Sequence, residues 1–454
     1  YHAERALTAA MERSRAKSGM AVVLDPRTGE ILALANAPAF DPNLASAVSD
    51  EARRNDALQN IYEPGSTFKI VAFSAALEER RAKPDDKIDC QMGSITVAGR
   101  VVRDHTAFGT LTMTEALAKS SNVSAIKLGL RVGDERMHDY ITRFGFGAKT
   151  GVELPGETRG LLRPVSRWQK SSIGSIAIGQ EIGVTPLQVA SAFAVIANDG
   201  VRVAPHLVKE LRAADGSVVS RPEPESRRVV SAETARTVRG MLEMVTLKGT
   251  AKRAQLEGYT AAGKTGTAQK IDPKTRAYSP SKHVASFVGF APVENPSVVI
   301  IVVVDEPVGA YHGGDTAAPI FRDIAEQVLP YMNVLPDTEI KPEGADGARL
   351  LAQGVEGGGR VDESNAVESP PAEQAPTPRQ PERAGEVVFA EAGARGVRMP
   401  DLRGVSVREA MKVCALLGLE LEARGEGRAQ RQSPAAGDSV EPGQVVRVEF
   451  VRSD

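Results

Sequence analysis

Ser66-Thr67-Phe68-Lys69, Ser120-Ser121-Asn122 and Lys264-Thr265-Gly266 lie far apart in the chain, yet their residue types could do chemistry together. In this order they describe a serine nucleophile activated by lysine rather than by histidine. Glu63-Pro64-Gly65 breaks the chain just ahead of Ser66, and Ile70, Val71, Phe73, Ala76 and Leu77 then follow helical spacing. Ser66 is therefore expected at or near a helix N-terminus, where free N–H groups and the helix dipole favour a developing alkoxide and oxyanion. Lys69 lies one turn on, within reach of the serine hydroxyl. An ammonium cannot accept a proton. Burial and a second nearby cation both favour the neutral amine, and Lys264 is the candidate cation.

The other two strings have their own local logic. Thr112 and Glu115 form a capping-box pattern that starts a short helix through Leu117. Ser120-Ser121-Asn122 ends or interrupts that helix before the apolar stretch Ala125, Ile126, Leu128 and Leu130. Polar side chains at such a turn can point into a cleft. Ser120 could relay a proton between Lys69, Lys264 and a leaving amine, and Asn122 could hold Lys69 and a substrate amide. Ala261–Gln269, small and β-branched, reads as an edge strand in which Gly266 lets a ligand backbone approach closely. A peptide could add beside it as an extra strand, its terminal carboxylate meeting Lys264 and the hydroxyls of Thr265 and Thr267. The backbone N–H groups of Ser66 and Thr267 would form the oxyanion hole. Taken singly, each string has a bland reading as a helix start, a solvated turn or an exposed strand.

A rival pattern overlaps the third string. Gly258-Tyr259-Thr260-Ala261-Ala262-Gly263-Lys264-Thr265 satisfies the nucleotide-binding P-loop pattern, and Val299 to Asp305-Glu306 mimics a magnesium-holding strand end. A P-loop must follow a buried apolar strand and open a helix. Here Lys252 to Glu257 precede it, and Pro273 and Pro280 follow, so the context opposes a phosphate site.

With 454 residues, two or three domains are expected, and 42% apolar residues suffice for a large core. The 56 basic and 58 acidic residues nearly balance and aromatics are only 4%, which argues against a polyanionic or base-stacking partner such as nucleic acid. Cys90 and Cys414 lie too far apart in sequence to suggest a metal site or disulfide scaffold, and the six histidines show no metal-ligand spacing. No metal or cofactor is expected. Asp104-His105 could hint at a serine–histidine–aspartate enzyme, but no G-x-S-x-G elbow is present, and a loop or core role is expected. No transmembrane span is visible. The chain starts at Tyr1 inside a helical pattern with Ala6, Leu7, Ala10 and Met11 on one face, and is read as a fragment lacking its N-terminal part.

The elements that must carry the three strings follow from periodicity. Ala21–Leu24 and Ile31–Ala35 flank the hairpin signal Asp25–Gly29, and a second strand cluster comes at Ala261–Gln269, Val284–Phe290 and Val298–Val304. Between them the pattern is mostly helical, as in Thr185-Pro186 running to Asn198-Asp199-Gly200. A closing helix is expected near Ile320–Leu329. These elements predict an α+β fold: one antiparallel sheet flanked by helices, with an all-helical lobe inserted and the strings gathered in the cleft between them. Residues 336–395, holding Gly357-Gly358-Gly359 and Pro370, Pro371, Pro376, Pro378 and Pro381, read as a disordered linker.

The three strings resemble the signature of penicillin-binding proteins and serine β-lactamases. Leu24–Ala33, Glu63–Lys69, Ile178–Pro186 and Ala262–Gln269 extend the likeness to the transpeptidase domain of class B penicillin-binding proteins, over residues 1–335. Residues 396–454, with Met399–Gly404, a helix from Ser406 to Leu417, Gln432-Ser433-Pro434 and Val445–Phe450, resemble a PASTA domain, a small β-α-β-β module. The resemblance implies a peptidoglycan D,D-transpeptidase in which Ser66 is acylated by a D-Ala-D-Ala stem peptide, D-Ala leaves, and a neighbouring strand's amine takes the acyl group. It implies β-lactam inhibition, a division- or sporulation-type role, and division or elongation partners that include a membrane glycosyltransferase. It also implies a membrane anchor absent from this chain, at the extracytoplasmic face of a bacterial membrane. Two enzymatic and sensory alternatives share the acylation step. A class A β-lactamase needs E-x-x-L-N, and Glu157 is followed instead by Thr158-Arg159-Gly160-Leu161. A β-lactam or muropeptide sensor would be expected beside a signalling domain.

Overall fold

Val298–Asp305 is apolar at nearly every position, a pattern that suits a strand covered on both faces, and all eight of its residues are buried. In the computed structural model, which describes residues 1–41, 43, 48–272, 274–339, 397–441 and 443–451, it is the centre of a five-stranded sheet. The order is Ala262–Ile271, Tyr278–Ala291, Val298–Asp305, Ser18–Leu24 and Ile31–Ala37, with every neighbouring pair antiparallel. The hairpin expected at Asp25–Gly29 is present. The Asp25 carboxylate accepts from the Arg27 N–H (2.8 Å), and Gly29 N–H donates to the Asp25 carbonyl (3.0 Å), which closes the turn.

Helices cover the sheet. His2–Ser14 and Gly313–Tyr331 lie together, joined by His2 Nδ1 and Gln327 Oε1 at 3.0 Å and by an exposed Arg13–Asp323 pair at 3.7 Å. Phe321 of the latter meets Phe287 of the sheet edge-on, with centroids 4.8 Å apart. Pro186–Ala197, buried at every position, packs on the central strands; its N-cap is the expected Thr185, whose hydroxyl accepts from Gln188 N–H.

The inserted lobe is built from Lys69–Glu78, Met113–Ala118, Asn122–Val132, Asp134–Arg143 and Ser172–Ala177. Besides these helices it carries two small antiparallel pairings, Lys87–Asp89 with Thr110–Thr112 and Ser94–Val97 with Arg100–Arg103. Ala232–Leu247 ties lobe to sheet by packing on Lys69–Glu78, Met113–Ala118 and Ala262–Ile271. Its start is fixed by Glu78, which accepts from Ser231 N–H (3.0 Å) and Ser231 Oγ (2.8 Å).

The chain divides into two compact units, Tyr1–Leu329 and Pro330–Asp454. In the second, Val397–Arg398 pairs with Ser439–Val440. Val445–Val451 is flanked by Glu420–Gly425, parallel, and Arg428–Ser433, antiparallel. The helix Val407–Leu416 and these strands enclose a core that includes Leu402, Met411, Val440, Val448 and Phe450. The linker expected over 336–395 falls, from residue 340 onward, outside the described residues.

Phe287 joins sheet and closing helix, so Phe287→Ala is expected to destabilise the first unit by about 3–5 kcal/mol. Denaturant unfolding followed by the fluorescence of Trp168, the single tryptophan, measures this.

Candidate active site

Ser66 lies in a 3₁₀ turn, Gly65–Phe68, that runs directly into the helix starting at Lys69. In a 3₁₀ turn residues i and i+3 eclipse, which stacks Lys69 on the turn of Ser66 more directly than an α-helix would. The turn is held by Gly65, at φ +55°, whose N–H donates to the Gly179 carbonyl at 3.1 Å. The helix start expected at Ser66 is thus one tight turn earlier than the α-helix proper.

Lys69 is fully buried, and its amine donates to the Ser120 carbonyl (2.5 Å), Asn122 Oδ1 (2.7 Å) and Ser120 Oγ (3.2 Å). Ser120 presents carbonyl and hydroxyl to the same amine because its backbone is left-handed, φ +60°, between the helix ending at Ala118 and the one starting at Asn122. A non-glycine residue held there costs on the order of 1 kcal/mol, which the lysine hydrogen bonds offset. Lys264, also fully buried, donates to Ser120 Oγ from the other side at 2.9 Å. Asn122 is oriented by its own amide, which donates to the Arg103 carbonyl at 2.8 Å.

Burial pushes the Lys69 amine down to about 7, against the opposing pull of Asp104. Burial also drives Lys264 well below the ordinary lysine range, aided by the charge on Lys69. The sequence reading put the depressing cation on Lys264. In the structure, burial is the main cause at both amines, and the charge effect runs from Lys69 onto Lys264.

Ala262–Ile271 is the sheet edge, as expected, with Thr265 opposite Phe287 and Thr267 opposite Ala285. Thr265 Oγ1 lies 2.7 Å from Thr250 Oγ1, and Thr267 Oγ1 accepts from Gly313 N–H at 3.2 Å. Gly266 has a different role from the one expected. A Cβ there would meet Ser286 Oγ at 2.3 Å and the Pro64 carbonyl at 3.0 Å, so the missing side chain admits the nucleophile's own turn rather than a ligand.

A cleft of about 650 Å³ is lined by Ser66, Ser120, Asn122, Thr265 and Thr267, with Lys69 and Lys264 behind its wall. The three strings therefore converge. Phe108, His105, His283, Tyr311 and His312 line it as well; His105 meets His312 edge-on at 5.3 Å, and His283 stacks on Tyr311 at 4.3 Å. Burial lowers His312 below the usual histidine range, with His105 adding to the effect. A larger concavity, about 810 Å³, includes Arg27, His206 and Arg221 and lies away from all three strings; Lys209–Glu30 (3.4 Å) and Arg221–Glu210 (3.2 Å) pair within it. Among the described residues no group of three or more His, Cys, Asp or Glu side chains is arranged to hold a metal.

The alternatives fare as their context implied. Gly263, Lys264 and Thr265 lie inside a strand, so no helix N-terminus faces a phosphate, and Asp305 and Glu306 are engaged by Lys270 at 2.8 and 2.7 Å. Glu157 is buried, accepts from Thr150 N–H (2.7 Å), Thr150 Oγ1 (2.5 Å) and Gly151 N–H (3.2 Å), and does not line the cleft. The carboxylates that do line it, Glu63 and Asp315, are engaged: Glu63 by Tyr278 OH (2.9 Å) and Glu181 N–H (2.8 Å), Asp315 by Arg253 (3.6 Å).

Asp104 is the residue sequence reasoning undervalued. Its carboxylate accepts from Ser121 Oγ (2.8 Å), Val123 N–H (3.1 Å) and Asn122 N–H, and so caps the helix Asn122–Val132 across a gap of eighteen positions to Asn122. No local spacing signals such a cap. Asp104→Ala should cost about 1–2 kcal/mol of stability. Because Asp104 holds the Lys69 proton on, its loss should also move the pH dependence of covalent labelling at Ser66 toward lower pH, measured by labelling rate against pH.

Comparison with known proteins agrees with this geometry. Residues 19–326 match the penicillin binding protein transpeptidase domain and residues 397–452 the PASTA domain. Penicillin-binding protein PbpB of Mycolicibacterium smegmatis is 41% identical over 346 residues, covering 74% of this chain and 53% of that protein. Stage V sporulation protein D of Bacillus subtilis is 33% identical over 460 aligned positions, covering 99% of this chain and 64% of that protein. The crystal structure of penicillin-binding protein 3 from Mycobacterium tuberculosis complexed with aztreonam is 40% identical with a TM-score of 0.70, covering 75% of this chain and 78% of that one. The chain thus spans 53% and 64% of the length of these two curated relatives. With the family match over residues 19–326 and the serine–lysine cleft inside it, the chain belongs to the penicillin-binding protein transpeptidase family and carries a PASTA domain at its C-terminal end.

Proposed function

We propose that this chain is a peptidoglycan D,D-transpeptidase working through a Ser66 acyl-enzyme. The observation that carries the reading is the convergence of two buried lysine amines on one hydroxyl, Ser120 Oγ at 3.2 and 2.9 Å, beside the cleft that Ser66 lines. Relatives named peptidoglycan D,D-transpeptidase, such as the probable enzyme PenA of Neisseria gonorrhoeae at 36% identity, support it.

In this mechanism neutral Lys69 takes the proton of Ser66 as Oγ attacks the carbonyl between the two terminal D-alanines of a stem peptide. The tetrahedral oxyanion is held by the backbone N–H groups of Ser66 and Thr267. The carbon–nitrogen bond breaks as the D-alanine amine accepts a proton delivered through Ser120 Oγ, which the lysine pair replenishes. An amine from a second strand then attacks the ester, loses its proton along the same relay, and frees Ser66. Asn122 holds Lys69 and the peptide amide. β-Lactams would stop at the ester because their leaving group stays attached. Among the described residues no helix is long and apolar enough to cross a membrane. We assign the site of action to the extracytoplasmic face of a bacterial membrane, beside division or elongation partners that include a glycosyltransferase, on the basis of the substrate's location. The PASTA domain would serve recruitment or wall binding rather than acylation.

Intact-protein mass spectrometry after brief exposure to a penicillin tests the reading. A long-lived adduct on Ser66, absent in Ser66→Ala, is expected; rapid loss would indicate a β-lactamase, and stable labelling without stem-peptide turnover a sensor. Lys69→Arg keeps a cation but removes the accessible neutral base, so acylation should fall at least about a hundredfold. The acylation rate of the unaltered protein should rise with pH and level off above about 7, since the neutral amine is the reactive form. A flat profile between pH 5 and 9 (the range on either side of about 7 to be scanned) would exclude Lys69 as the base.

A further inference from the structure

A carboxylate entering a cleft needs a cation it can reach. Lys264, to which the sequence reading gave the substrate carboxylate, is buried behind the cleft wall. Its amine is committed to Ser120 Oγ (2.9 Å) and the Thr265 carbonyl (3.3 Å), with Thr265 Oγ1 at 3.4 Å. Burial further disfavours its charged form. The lysines that do line the cleft are Lys119 and Lys248. Lys119 is held over the Phe108 ring, 5.5 Å from its centroid. Lys248 is exposed, and among the described residues no acidic side chain pairs with it.

Lys248 caps the C-terminus of Ala232–Leu247, and with Gly249 and Thr250 it forms the wall beside Thr265. That wall is fixed on both sides. A Cβ on Gly249 would fall 2.3 Å from the Ala118 carbonyl, and one on Gly314 would fall 2.2 Å from the Thr250 carbonyl. Thr250 Oγ1 and Thr265 Oγ1 lie 2.7 Å apart, so two hydroxyls and one unpaired ammonium belong to one stretch of cleft wall.

We propose that Lys248, with the hydroxyls of Thr250 and Thr265, forms the subsite for the terminal carboxylate of the acyl donor and sets the preference for a free carboxylate over a neutral chain end. The proposal rests on the reading of Ser66 as the acylated nucleophile. It separates two tasks: the buried amines move protons, and an exposed cation at the rim selects charge.

The test compares second-order acylation of the full chain by benzylpenicillin and by its methyl ester, read by intact mass spectrometry. Lys248→Ala should slow the acid about fivefold, as expected for one solvent-exposed ion pair, and leave the ester within about twofold. Lys248→Arg should restore the acid rate, and the acid-specific loss should shrink at 1 M salt, where the screening length is about 3 Å. Lys119→Ala, a cation in the same cleft held by Phe108, should change the acid rate by less than about twofold. Equal loss on acid and ester, no loss at all, or an equal effect of Lys119→Ala would overturn the subsite. If the unaltered protein forms no Ser66 adduct with either compound, the acyl-enzyme reading itself fails and the subsite falls with it.

Discussion

Two ammonium-bearing side chains sharing one serine hydroxyl inside a closed wall is the constraint on which the rest of the site depends. Taking an ammonium out of water costs several kcal/mol even after relaxation, and two of them repel. The fold meets that cost with hydrogen bonds from fixed groups: the Ser120 carbonyl and hydroxyl and Asn122 Oδ1 for Lys69, and the same hydroxyl and the Thr265 carbonyl for Lys264. What is left uncompensated appears as lowered proton affinity, which is the property a lysine base requires. The left-handed backbone of Ser120 is part of the same arrangement, since an ordinary helical φ there would carry its carbonyl away from Lys69.

Holding three separate chain segments to hydrogen-bond tolerance demands rigid carriers. The nucleophile's turn is pinned between Gly179 on one side and Gly266 on the other, each lacking the Cβ that would push it away: a Cβ on Gly179 would lie 2.2 Å from the Gly65 carbonyl. The Ser120 turn is anchored by Asp104, which ties the helix behind it to the small hairpin ahead. The Lys264 strand is backed by a sheet whose centre is buried on both faces, and Ala232–Leu247 locks that strand to the lobe. Each carrier reaches the site through backbone geometry. A substitution in any of them would therefore act on the spacing of the amines before it acted on their chemistry.

Much of this was legible in the chain because the signals are local. The capping boxes at Thr112 and Thr185, the Asp25–Gly29 hairpin and the apolar run at Val298 follow from short-range preferences, and the structure has them where the spacing puts them. What stayed hidden depends on residues distant in sequence. Asp104 caps a helix that starts eighteen residues later, Gly266 yields to Pro64, and the aromatic rim joins His105 to His312. The direction of charge coupling between the lysines was equally out of reach, because burial is a property of the assembled wall and has no signature in the S-x-x-K or K-T-G strings.

The string Gly258–Thr265 shows how context decides chemistry. The same residue types can cradle a phosphate when they end a strand and open a helix, since successive N–H groups then point at one ligand. Here Gly263 and Lys264 are already inside the strand Ala262–Ile271, whose N–H groups alternate in direction. Gly263 is needed for packing: a Cβ there would lie 2.4 Å from the ring of Phe287, the residue that binds the sheet to its closing helix. With the backbone extended, the lysine side chain leaves the strand sideways, toward the lobe, and meets Ser120 instead of a phosphate. The pattern match was complete in letters. The conformation of the backbone around it turns a cation that could have gripped a nucleotide into one half of a proton relay.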